Sequence, residues 1–147
     1  MKPYSALGLV AFVAGCASAT GPVYEEPPSP PEGYAEVIVY RVPALASGAH
    51  SLPLQIDGTP VAKLDMKGYT RVLLRPGVHS FNQLRGAKVA AGSIYYFRCE
   101  AGTAFPTIIP GTSGEFTLVP AETAKQEIAG YHFQPPQIDK QDWNTSE

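Results

Sequence analysis

The sequence predicts a mainly β fold: a small antiparallel β-sandwich or open barrel with one short C-terminal helix. Three observations predict it. Fifteen prolines in 147 residues cut the chain into short pieces, and proline inside a helix removes a donor and clashes with the preceding turn. Between them lie about seven runs rich in β-branched and aromatic residues. Turn signals such as Asp57-Gly58 and Pro76-Gly77 separate these runs at regular spacing.

The first run, Ala35 to Val42, carries apolar side chains on both alternating sets, as expected of a strand covered on both faces. Pro43 ends it. Leu52, Leu54 and Ile56 then alternate with Pro53, Gln55 and Asp57, and Asp57-Gly58 reads as a tight hairpin returning through Val61 to Leu64. From Gly68, the side chains of Thr70, Val72 and Leu74 form one face, with Tyr69, Arg71, Leu73 and Arg75 on the other. Arg75-Pro76-Gly77-Val78 predicts a tight turn, with residues 78–84 returning from it and Arg85 to Ala91 as a connection. Residues 92–100 form the most strand-like segment. Residues 101–113 read as a proline-broken loop that packs, and Gly114 to Val119 as the last strand. A helix is expected over Pro120 to Ala129, with Glu122 in its first turn and Gly130 past its end.

The opening run, MKPYSALGLVAFVAGCASAT, has a weakly basic head, a short apolar middle and small residues at its end. Those are the parts of a secretory signal peptide. Its apolar block is too short to span a bilayer, which takes about 20 residues. Val13-Ala14-Gly15-Cys16 resembles the lipobox of bacterial lipoproteins. That resemblance implies cleavage before Cys16, lipidation of Cys16 by diacylglycerol and acyl chains such as palmitate, and residence in the cell envelope. Ala17 in the next position implies sorting to the outer membrane, facing the periplasm. The competing reading is an ordinary cut after Ala17-Ser18-Ala19, which would discard Cys16. Residues 1–15 are thus the expected leader, and 16–33 a proline-rich tether. Such a segment favours extended geometry with a reach of roughly 50 Å. It also admits the reading of a proline-rich ligand for another protein. The domain is expected over 34–130, and a flexible tail over 131–147, unless its aromatic residues dock on the sheet.

Eleven basic side chains stand against thirteen acidic ones, and no basic run gives the clustered positive face that nucleic acid requires. Nucleic acid is therefore not an expected partner. If Cys16 is acylated, Cys99 is left as a thiol, on the same face of its strand as Tyr95 and Phe97, where it reads as a small buried residue. His50, His79 and His132 fall in three separate segments without a ligand spacing, so no metal and no cofactor is expected. Gly111-Thr112-Ser113-Gly114 is not the G-x-S-x-G elbow, because the second glycine comes too early. No catalytic residue is assigned, and the chain is read as a non-enzyme. Arg41 and Arg98 close two hydrophobic strands. One reading lays their stems along apolar surface with exposed heads. The sharper one brings them together to hold an anion or a partner's carboxylate.

Taken in order, Ala35-Glu36-Val37-Ile38-Val39-Tyr40-Arg41, Ile56-Asp57-Gly58, Gly68-Tyr69, Leu74-Arg75-Pro76-Gly77-Val78-His79 and Ala91 to Arg98 resemble a family of small bacterial lipoprotein domains of unknown function, DUF2846. Asp-Gly followed by Pro-Gly-x-His is also similar to PEGA-type β-sandwich modules. These motifs are mostly turn chemistry and imply a fold rather than an activity. The expected function is a membrane-anchored, non-catalytic β-domain that docks on an envelope protein or on peptidoglycan. The alternative is a small-ligand or glycan-binding module, with Tyr69, Tyr131 and Trp143 as its stacking residues. A small hydrolase is the third class.

Overall fold

A computed structural model describes residues 18–44, 50–101 and 114–137. Cys16, Trp143 and all but the first residue of the loop expected over 101–113 lie outside the described residues. Among the described residues, nine strands and one helix follow in order. They are β1 (Ala35–Arg41), β2 (Leu52–Ile56), β3 (Thr59–Leu64), β4 (Gly68–Leu74), β5 (Gly77–Phe81), β6 (Leu84–Val89), β7 (Ile94–Ala101), β8 (Gly114–Val119), α1 (Ala121–Ile128) and β9 (His132–Phe133). The strands form two facing sheets, ordered β8-β7-β1-β4-β9 and β3-β2-β5-β6. The fold is mainly β and sandwich-like, with one short late helix, as the sequence predicts.

Every residue of β1 is buried, and the two faces of its sheet explain why. Val37 and Val39 point into the space between the sheets, with Leu54, Ile56 and Phe81 from the facing sheet. Phe81 and Phe97 stack there with ring centroids 4.3 Å apart. Ile38 and Tyr40 point outward and are covered by Ala124 and Ile128 of α1. A strand covered on both faces needs no alternation. It is also the setting in which parallel pairing occurs, and β1 runs parallel to β7 while antiparallel to β4. The alternating pattern alone gave no sign of that parallel pair.

The Asp57-Gly58 hairpin forms as expected. Both residues take positive φ, 51° and 79°, and join β2 to β3 with Ile56 facing Thr59. The expected return at Pro76-Gly77 does not form. β4 and β5 belong to different sheets, so this step is a crossing between layers. Gly77 at φ 152° supplies a backbone angle that L-residues rarely adopt. The stretch read as a connection is instead β6, paired antiparallel with β5. Asn82, at φ 50°, makes the turn between them. Three of the six residues of β6 are exposed, and only Leu84, Ala87 and Val89 reach the core, at a spacing that breaks the alternation marking a strand in sequence.

The tail begins by docking. Tyr131 is buried, and β9 pairs parallel with β4 through Gly68–His132 and Tyr69–Phe133. Gln134 donates its backbone N–H to the Tyr69 carbonyl at 2.8 Å, and Gln137 does the same to Val61 at 2.8 Å. Over residues 131–137 the aromatic residues therefore dock on the sheet, and the flexible tail expected there is replaced by an ordered one.

Candidate functional site

The segment expected to be a free tether lies against the fold. From residue 18 to residue 26 it runs along β9 as a strap, on the side away from β4. Ser18 bridges Met66, and the Ala19 N–H reaches the Met66 carbonyl at 3.3 Å. The Gly21 carbonyl accepts from His132 Nδ1 at 2.7 Å. The Pro22 carbonyl accepts from the Phe133 N–H at 2.8 Å, and Tyr24 donates its N–H to the Tyr131 carbonyl at 2.7 Å. Prolines cannot donate, but their carbonyls still accept. A proline-rich segment can therefore cover a sheet edge that already supplies the donors.

Side chains fasten the strap where it crosses the outer face. The Tyr24 ring meets Tyr69 edge-on at 5.3 Å, and its hydroxyl shares a hydrogen bond of 3.1 Å with Tyr96. Burial, reinforced by that bond, pushes the Tyr24 hydroxyl pKa far above its ordinary value. Lys125 Nζ of α1 pairs with Glu26 at 2.5 Å, an exposed contact of small energetic value.

Gly21 is the tightest point of the strap. A Cβ built there would lie 2.0 Å from the Phe133 carbonyl oxygen, which is backbone and cannot swing aside. Gly21→Ala is expected to lift the strap, cost about 2 kcal/mol as overpacking does, and open residues 18–26 to protease. Limited proteolysis with denaturant melts checks this; unchanged cleavage and stability would refute the seating described here.

Against α1, the outer face holds a hydrogen-bonded cluster. Tyr40 donates its hydroxyl to Glu127 Oε2 at 2.6 Å, and Arg98 donates to Glu127 Oε1 at 2.9 Å. Arg98 Nε also pairs with Glu100 at 2.7 Å. Burial pulls the Arg98 pKa down, but Glu127 and Glu100 outweigh it and raise the balance. Both charges on this arginine's sides are already matched within the fold.

Arg41 is elsewhere. In the parallel register Tyr40 faces Arg98 while Arg41 faces Cys99, and successive side chains of a strand point to opposite faces. Arg98 therefore lies on the helix side and Arg41 between the sheets, so the joint anion site does not assemble. Nor is Arg41 a snorkelling residue with an exposed head. It is fully buried and donates to the Leu64 carbonyl at 2.9 Å and the His50 carbonyl at 2.6 Å. Burial lowers its pKa, partly offset by Cys99 and Asp65. Cys99 is buried as expected, and burial pushes its thiol up to about 12.

Tyr69 and Tyr131, expected as a stacking platform, are 5% and 7% exposed. Their faces are spent on Tyr24, Phe133 and Tyr40. One pairing escaped the sequence altogether: His79 Nδ1 meets Asp57 Oδ2 at 2.6 Å, and His79 Nε2 meets the Arg75 carbonyl at 2.9 Å. Asp57 also accepts from the Ser80 N–H at 2.8 Å. With both ring nitrogens engaged, His79 ties the β2–β3 turn to β5. The two residues stand 22 apart in sequence, and no local motif links them.

Among the described residues no three His, Cys, Asp or Glu side chains converge as metal ligands. No described helix is long and apolar enough to cross a membrane. Compared with protein-family models, curated proteins and solved structures, the chain matches none.

Proposed function

We propose that the protein is a lipid-anchored bacterial envelope component, held by an acylated Cys16 at the outer membrane and facing the periplasm. Its β-domain, of the DUF2846-like kind, is a non-catalytic module that docks on an envelope protein or on peptidoglycan. One observation carries the choice of anchor. Ala19 is 7% exposed and seated against Met66, so the cut after Ala19 would discard part of the strap. A cut before Cys16 keeps the strap whole and starts the mature chain two residues ahead of the fold.

The docking reading is favoured over glycan binding by the burial of Tyr69 and Tyr131, since a sugar stacks only on an exposed ring face. The arginines favour neither reading: Arg98 is matched by Glu127 and Glu100, and Arg41 is fully buried.

Intact-mass analysis of the protein purified from its native envelope tests the anchor. The expected product begins at Cys16 and carries diacylglycerol plus an amide-linked acyl chain, and Cys16→Ser abolishes the added mass. An unacylated chain beginning at Thr20 would overturn the reading. Crosslinking in intact cells then identifies what the domain touches.

A further inference from the structure

The docked strap fixes which end of the domain meets the lipid. We propose that the Met66-Lys67 corner, with Lys63 beside it, is the surface the domain presents to the bilayer, where it meets anionic lipid headgroups. The proposal rests on acylation of Cys16 as read above.

The argument begins with chain length. Cys16 and Ser18 are two residues apart, and two residues span at most about 7 Å even when fully extended. Ser18 bridges Met66 and Ala19 bonds to it. A lipid on Cys16 therefore cannot sit far from this corner while the strap is seated. A hollow lined by Ser18, Thr20, Lys63, Asp65 and Gln134 adjoins the same corner. The charges fit that neighbour. Lys63 and Lys67 are both exposed, whereas the carboxylate between them is engaged by Ser51 and by Gln134 Nε2 at 2.8 Å. Two exposed ammonium groups outnumber the one carboxylate between them, which keeps its charge under these neutral donors, and among the described residues the positive balance suits a surface of anionic headgroups. The opposite end of the sheet is marked by the turn at Ala91-Gly92, whose Gly92 N–H bonds to the Tyr34 carbonyl at 2.8 Å. The seven residues of β1 separate the two ends by about 20 Å.

The test uses the full acylated chain on vesicles of phosphatidylethanolamine and phosphatidylglycerol doped with headgroup-spin-labelled lipid. A fluorophore is attached through Lys67→Cys, Lys63→Cys or Ala91→Cys, since Cys99 is wholly buried. Quenching is expected to be several-fold stronger at the two lysine positions than at Ala91. A Gly/Ser insert of about ten residues between Ala17 and Ser18, with a mean span of about 18 Å, is expected to abolish that difference while the chain still floats with the vesicles. Flotation with quenching equal at all three positions, or strongest at Ala91, overturns the orientation and leaves the anchor standing. A chain that does not float overturns both.

Discussion

Arg41→Ala is expected to destabilise the domain by about 3 kcal/mol, a large part of the 5–15 kcal/mol that holds a typical domain together. The guanidinium is fully buried at the end of β1, where it closes the inner layer by donating to the carbonyls of Leu64 and His50. Truncation leaves the buried Leu64 carbonyl without that donor, an unsatisfied buried group costing about 1–3 kcal/mol, and leaves the carbonyl of exposed His50 to water. It also opens a void where a long stem packed. Arg41→Met separates the two effects, because it restores most of the volume without the donors. Its expected loss is about half as large, since apolar replacement of a buried charge also removes a desolvation cost. Urea midpoints at neutral pH measure both. An Arg41→Ala midpoint within error of the parent would mean that the guanidinium contributes nothing at this position.

Alkaline pH is expected to destabilise the protein progressively from about pH 9 upward. Burial raises the Cys99 thiol from its ordinary 9.0 to about 12, so between those values the unfolded chain ionises while the folded one does not. Stability is therefore full below about pH 9 and falls as pH rises toward 12. One such group costs about 1.4 kcal/mol per pH unit. Tyr24, Tyr40, Tyr69, Tyr96 and Tyr131 all shift in the same direction, each first through burial, and they steepen the fall above pH 10. Denaturation curves at pH 7, 9, 10 and 11 check the slope, and Cys99→Ala should flatten the segment between 9 and 10. Stability that holds constant to pH 11 would show the thiol and phenols to be solvated.

Much of this architecture was legible in the residues. The lack of alternation in β1 announced a doubly covered strand, and Asp57-Gly58 announced its hairpin. The strap was misjudged because composition weighs apolar content. It is held instead by backbone carbonyls offered to β9 and by Tyr24, a single ring placed over Tyr69. β6 is hard to read because its core-facing residues, Leu84, Ala87 and Val89, break the alternation and are interrupted by Arg85, Gly86 and Lys88. The two arginines show a different limit. Each was recognised as unusual, yet whether they meet depends on the β1–β7 register, and one residue of offset puts them on opposite faces. The Asp57–His79 link likewise depends on the crossing from β4 to β5, which brings distant segments into one sheet.

The seam between the strap and β9 ties the beginning of the domain to its end: Gly21 and His132 touch across 111 residues of chain. A polypeptide emerging amino-end first cannot complete that edge until His132 and Phe133 have been made. Such distant pairing slows closure. Until then the ring of Tyr69 lacks the cover of Phe133.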